Sequence, residues 1–303
     1  MYILNRMIGW IEINFLKRLR WRHFIWMLIV AGVAYVCLPF FYAASYTWDL
    51  LHPVCQLDGQ PIEEVQSVFW RDEEYGPVHF LYLPPQNGRV IIMVGGRCGS
   101  VQDWQTEIDI FKEYGFGFAI LPDPSCMEHP ASLGIKEKSQ IMAMTTYLHT
   151  RDEVHWIGAA GFSAGASALA LAIPEMPDLQ AAVLMGNFAD LQSEIMYADY
   201  PLGSFGWLAQ RSVLCWYRVF TGYAANQVNP MEAYENYPAL KLLLIHGEQE
   251  AQRTQAEIQY QVAKLGGAKE VQLWIVPDAG HGMYETVASE DYVERLYKLF
   301  LSE

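Results

Sequence analysis

The sequence is short of cysteine, of positive charge and of every compact motif that holds a metal, a phosphate or a dinucleotide. Five cysteines in 303 residues are too few for a disulfide-dense scaffold, so a hydrophobic core must carry the fold. Lysine and arginine number 20 against 34 acidic residues, a formal net charge of −14. Phosphate backbones are bound by basic surfaces, so this balance argues against nucleic acid as the main partner. There is no H-E-x-x-H and no paired C-x-x-C, so no metal is expected. The patterns G-x-x-x-x-G-K-[ST] and G-x-G-x-x-G are also missing, and no cofactor is expected. No repeat or low-complexity tract is visible. What is abundant is apolar residues, at 52 %, which excludes a disordered chain.

Charge is absent altogether from Phe24 to Trp48. Residues 1–23 carry Arg6, Lys17, Arg18, Arg20 and Arg22 against the single acid Glu12. The run that follows is long enough to cross a hydrocarbon layer, which takes roughly 20 apolar residues. Trp21, Trp26, Tyr46 and Trp48 stand near its ends, where amphipathic rings favour the interface. The expected organisation is a basic cytoplasmic leader at 1–23, a transmembrane helix at 24–44, a linker at 45–64 and a folded body at 65–303. Positive charge stays inside, so the body is expected on the exported side. A cleaved signal peptide is the rival reading, since Ala43-Ala44-Ser45 resembles a small-residue cleavage region. Both readings export the body.

Within the body, short apolar runs alternate with helical stretches. VQSVFW (65–70) and VHFLYL (78–83) read as a strand pair. VIIMV (90–94), FGFAIL (116–121), VHWIGAAG (154–161), AAVLMG (181–186), KLLLIH (241–246) and VQLWIV (271–276) follow as further strands. The stretches 101–114, 136–150, 164–173, 251–265 and 285–301 read as helices. Strands alternating with helices imply an α/β fold, a mostly parallel sheet with helices on both faces. Binding crevices in such sheets lie at the carboxyl ends of the strands. Residues 187–238 exceed what one crossover needs and are rich in Trp, Tyr, Phe and Leu; they are expected to form a small helical lid.

The chemistry centres on Gly161-Phe162-Ser163-Ala164-Gly165. It follows an apolar strand and precedes ASALALAI, the context a nucleophile elbow needs. Serine requires a base. Of the eight histidines, His281 alone follows the last strand, in Asp278-Ala279-Gly280-His281-Gly282. The acid should follow the penultimate strand, in His246-Gly247-Glu248-Gln249-Glu250. Glu250 is preferred, with Glu248 and Asp278 as alternatives. Two backbone N–H groups should hold the oxyanion, those of Ala164 and of Arg97 in Gly95-Gly96-Arg97-Cys98-Gly99-Ser100. Cys98 and Cys126 follow neighbouring strands at one sheet edge and are the expected disulfide pair.

These four loops, GGRCGS, GFSAG, IHGEQE and AGHG, resemble the α/β-hydrolase superfamily over residues 65–301. They are most similar to its membrane-anchored Bem46-like and serine aminopeptidase (monoacylglycerol lipase-like) branch. The resemblance implies an α/β-hydrolase fold, a Ser163–His281–Glu250 triad and cofactor-independent hydrolysis of an ester, thioester or amide. Position 95 is glycine where that branch has histidine, and the acid is glutamate where it has aspartate. The expected activity is a membrane-tethered serine hydrolase acting on a small acyl ester, with lipid esters as candidates. A peptidase of the same fold and a catalytically silent binding module are the alternatives. An acidic lid pocket for a substrate amine would favour the peptidase.

Overall fold

The computed structural model describes residues 2–53, 55, 65–122, 130–198 and 206–301, with side chains in the first helix described from Trp21 onward. The chain opens with helix α1 (Tyr2–Leu51). Eight strands follow: β1 (Gln66–Asp72), β2 (Gly76–Leu83), β3 (Arg89–Val94), β4 (Gly117–Leu121), β5 (Trp156–Phe162), β6 (Leu179–Met185), β7 (Lys241–Gly247) and β8 (Glu270–Val276). Each corresponds to a predicted run. They form one sheet in the order β1-β2-β4-β3-β5-β6-β7-β8. The β1/β2 and β2/β4 pairs are antiparallel, and every pair from β4 to β8 is parallel. This is the α/β-hydrolase architecture the loops implied.

The central strands read as unbroken apolar runs because both of their faces are covered. In β3, Val90, Ile92 and Val94 join one core layer, and Ile91 and Met93 join the other. The first layer is closed by α3 (Ile135–His149), α4 (Ser163–Ala172) and α8 (Ala256–Leu265). The second is closed by α2 (Gln105–Lys112) and α10 (Ser289–Leu301). Side chains alternate across a strand, so every second residue serves the opposite layer. Helix α8 begins at Ala256 rather than near 251. Residues 251–255 are turns instead, and the Thr254 N–H donates to Glu250 O at 3.0 Å.

Between β6 and β7 lie α5 (Leu191–Tyr197), α6 (Gly206–Thr221), α7 (Pro230–Ala233) and two short 3-10 turns. This is the helical insertion expected at 187–238. It buries its apolar side against the end of α1. Pro39, Ala43, Thr47 and Leu51 are buried at a spacing of four, one face of a helix. Trp216 of α6 donates its Nε1–H to Phe40 O at 3.0 Å and packs its ring 4.9 Å from that of Phe40. The preceding stretch differs. From Trp21 to Val33 every residue is exposed, large apolar side chains included. The apolar segment Trp21–Leu51 is long enough to cross a membrane, and the helix continues past residue 44 because its last three turns have the lid to pack on.

The expected Cys98–Cys126 disulfide does not form. Cys55 is the disulfide-bonded cysteine among the described residues, and Cys98 retains its thiol. Cys98 lies exposed in a left-handed turn at φ 61°, closed by the Gly99 N–H on Gly96 O at 2.8 Å, with its side chain exposed to solvent. Cys126 is outside the described residues.

Candidate active site

The loops at the carboxyl ends of β3, β5, β7 and β8 converge on Ser163. This residue begins α4 directly at the end of β5 and takes φ 55°, a left-handed conformation that a side-chain-bearing residue adopts only under constraint. The turn is this tight because strand and helix nearly touch their neighbours. A Cβ on Gly165 would lie 2.2 Å from Gly95 O, so no larger residue fits there. Oγ of Ser163 is thereby presented at the sheet edge, at the helix N-terminus.

Three residues far apart in the chain meet here. Ser163 Oγ lies 2.9 Å from His281 Nε2, and His281 Nδ1 lies 2.6 Å from Glu250 Oε2. Glu250 Oε1 accepts the Gly247 N–H at 2.9 Å and the hydroxyl of Tyr284. Glu250 is 5 % exposed. Burial raises its pKa, but hydrogen bonds from His281, the Gly247 amide and Tyr284 outweigh it and hold the carboxyl at about 2. A carboxylate that accepts several hydrogen bonds stays charged even when desolvated. The alternatives take other roles. Glu248 accepts the Asp278 N–H at 3.0 Å, so together these two residues brace the turn that carries His281. His246 is fully buried, with its pKa lowered to about 4 by that burial, and is a neutral core histidine.

The two expected oxyanion donors lie on the chain next to Ser163 and on the β3 loop. Ala164 is in the first turn of α4, where backbone N–H groups have no intrahelical acceptor. Arg97 follows Gly96, where an added Cβ would stand 3.0 Å from Ser163 Cβ, so the β3 loop passes close to Ser163.

Sequence reasoning missed two supports. Tyr284, in α9 (Tyr284–Val287), is buried and donates to the acid; no pattern distinguishes it beyond its place three residues after His281. Gly186 has φ +63°, and a Cβ there would fall 2.4 Å from Tyr284 Oη and 2.8 Å from His281 Cε1. Its signal was available, a glycine closing strand β6. From the helical insertion, Glu194 of α5 pairs with Arg253, just after Glu250, at 3.1 Å. Beneath the β3 loop, beside Phe162, opens a cavity of about 400 Å³. Among the described residues no cluster of His, Cys, Asp and Glu is arranged to hold a metal.

The sequence matches the Prolyl oligopeptidase family over residues 131–303, more than half of the chain and the part that carries Ser163, Glu250 and His281. The chain belongs to the Prolyl oligopeptidase family. Among solved structures, it is similar to a Pyrococcus furiosus esterase (18 % identity, TM-score 0.63, covering 82 % of this chain and 96 % of that one). It is similar also to the Pyrococcus horikoshii acylaminoacyl peptidase (17 % identity, TM-score 0.57, 78 % and 40 %). A third is Est1E from Butyrivibrio proteoclasticus (16 % identity, TM-score 0.54, 78 % and 99 %). At these identities the likeness establishes the shared fold. No curated protein matches the sequence. Prolyl oligopeptidase family membership makes the chain a serine hydrolase by descent.

Proposed function

We propose that this protein is a membrane-tethered serine hydrolase that cleaves a carboxylic ester through an acyl-enzyme. The observation that carries the reading is the continuous hydrogen-bonded line from Ser163 Oγ through His281 to the charged Glu250. His281 Nε2 takes the Ser163 proton as Oγ attacks the acyl carbonyl, and Glu250 stabilises the imidazolium that forms. The N–H groups of Ala164 and Arg97 receive the oxyanion. His281 returns the proton to the leaving group, and water repeats the cycle on the acyl-enzyme.

The exposed apolar stretch of α1 supports the tether. From Trp21 to Leu38 it covers about 27 Å at 1.5 Å per residue, close to a hydrocarbon core of about 30 Å. A water-exposed apolar surface this continuous is rare on a soluble monomer. The turns that follow pack on the lid, in a cluster that also includes Ala164 beside the nucleophile. The substrate mouth is thereby held close to the membrane surface, which suits lipid-derived esters. The basic leader places the N-terminus in the cytoplasm and the body on the exported side, in a Bem46-like arrangement. The disulfide at Cys55 fits an oxidising compartment.

A peptidase is the second reading, and the family match favours it. The two are separated by a panel of esters and peptides with matched acyl groups, run on full-length protein in detergent. The ester reading expects ester turnover lost in Ser163→Ala, with no cleavage of the matched peptides. Peptide cleavage at a comparable kcat/KM would transfer the function to the second reading. For the topology, a reporter that works only in the cytoplasm, active when fused after Glu303, would contradict export.

A further inference from the structure

Successive residues of a helix turn by about 100°, so the buried row of α1, from Pro39 through Ala43 and Thr47 to Leu51, has a flank on each side. One flank meets α6. Phe40 packs on Trp216 and Trp48 on Phe220, with ring centroids 4.9 and 5.5 Å apart. The other flank carries Tyr42, Tyr46 and Leu50, again four residues apart. All three are half-buried against the cluster that holds Leu191 and Ile195 of α5 and takes in Ala164 beside Ser163. The rings of Tyr42 and Tyr46 stack along the helix, with centroids 6.4 Å and planes 21° apart. The end of α1 is also tied to the body, since the Ala131 N–H donates to Leu51 O at 2.9 Å.

Two charges set this flank beside the triad. Arg97 of the β3 loop and Glu194 of α5 both act on the Tyr46 hydroxyl. Glu194 in turn feels His281 and Glu250. Such interactions are largely screened beyond roughly 10 Å, so Tyr46 stands close to the loop that borders Ser163 and to the acid that neighbours His281. Glu194 is paired with Arg253 at 3.1 Å and offers a substrate amine no free charge. The row also points the other way, toward the membrane. One turn before Tyr42 comes Leu38, exposed at the end of the apolar stretch. From Leu38 to Tyr46 is about 12 Å at 1.5 Å per residue. A line of half-open aromatic and aliphatic surface suits an apolar chain, because each methylene laid on it leaves water.

We infer that the anchor helix is part of the active site: its Tyr42–Tyr46 flank walls the substrate mouth and receives the apolar chain of a long-chain ester leading from the membrane to Ser163, with Tyr46 as the specificity-determining residue. The inference rests on the hydrolase reading and deepens it, because it names the substrate class. The helix then has two tasks on two flanks. Phe40 and Trp48 hold α6, and Tyr42 and Tyr46 hold substrate.

The test labels the full-length protein in detergent with two fluorophosphonates that differ in the alkyl chain on phosphorus, ethyl and decyl, each followed to saturation. In the wild type the decyl probe should reach its half-maximal rate at a concentration at least tenfold lower than the ethyl probe. Tyr46→Ala should cut that ratio to about threefold or less, with the loss in the half-saturating concentration of the decyl probe rather than in its limiting rate. Trp48→Ala removes a ring from the flank that meets α6 and should keep the wild-type ratio. A drop in Trp48→Ala as large as that in Tyr46→Ala would trace the effect to loosening of the helix and overturn the inference. An unchanged ratio in Tyr46→Ala would overturn it too. Should Tyr46→Ala fail to fold, Tyr42→Ala replaces it, with a smaller drop expected and an unchanged ratio counting against the proposal. Labelling of the wild type by both probes without chain preference would remove the wall and leave the hydrolase standing. No labelling by either would remove the hydrolase reading and the inference with it.

Discussion

Glu250 and Glu107 are equally buried, each 5 % exposed, yet one carboxyl is held at about 2 and the other pushed up to about 7. Burial penalises the charge of both. The difference is the supply of donors. Glu250 has His281, the Gly247 amide and Tyr284; Glu107 has Tyr292 on one oxygen and nothing on the other. Partners, then, decide what a buried acid can do. The first is a finished charge that serves the imidazole. The second is an unfinished one, with one oxygen left without a donor.

The largest effect should come from removing the finished charge. Glu250→Gln keeps the shape but favours the wrong imidazole tautomer, and fluorophosphonate labelling should slow by roughly 10³–10⁴-fold. A change of less than tenfold would mean the charge is not used. Tyr284→Phe removes one donor and leaves the other two. A hydrogen bond to a charged group is worth about 1.5–3 kcal/mol, of which only part reaches the reacting serine, so labelling should slow by about tenfold; an unchanged rate would show that Glu250 does not need the tyrosine.

The same contrast predicts opposite pH signatures in thermal stability. Glu250 has a folded pKa below its reference value of 4.5. Its contribution is therefore complete above pH 4.5 and fades as pH falls toward 2. The gap in Tm between wild type and Glu250→Gln should narrow over that window. Glu107 has a folded pKa above 4.5, so wild type loses stability as pH rises from 4.5 through about 7. Glu107→Gln should consequently melt higher than wild type at pH 8, by roughly 7–14 °C given a gap from 4.5 to about 7, about 1.4 kcal/mol per pKa unit and about 2–4 °C per kcal/mol in a domain of this size. The difference should vanish at pH 4.5. A lower Tm for the variant at pH 8 would mean that the Glu107 carboxylate has a donor besides Tyr292.

What could be read from the sequence follows the same division. All eight strands and the meeting of Ser163, His281 and Glu250 at one sheet edge were legible because each rests on local chemistry: an apolar run ends in a loop, and the loop carries a residue of one type. Glu250 could be preferred to Glu248 by position, but the reason became visible only in the structure, where Glu248 turns to the Asp278 amide. Tyr284 and Glu107 were not legible because their meaning lies in partners supplied by other elements, the loop after β7 for one and α10 for the other. The length of α1 was hidden for a similar reason. Its last turns look like a linker until the lid is there to cover Ala43 and Leu51. The pairing of Cys98 failed because adjacency of strands says nothing of a left-handed turn that leaves the side chain exposed.

The central claim is that Ser163 is the nucleophile that His281 activates. It is tested most directly by reacting the full-length protein with a fluorophosphonate and mapping the modified residue by mass spectrometry in wild type and in His281→Ala. The account predicts a single phosphonylated residue, Ser163, in the wild type and a loss of at least 10³-fold in its rate of modification in the variant. Modification of another residue, or of Ser163 at the same rate without His281, would contradict it.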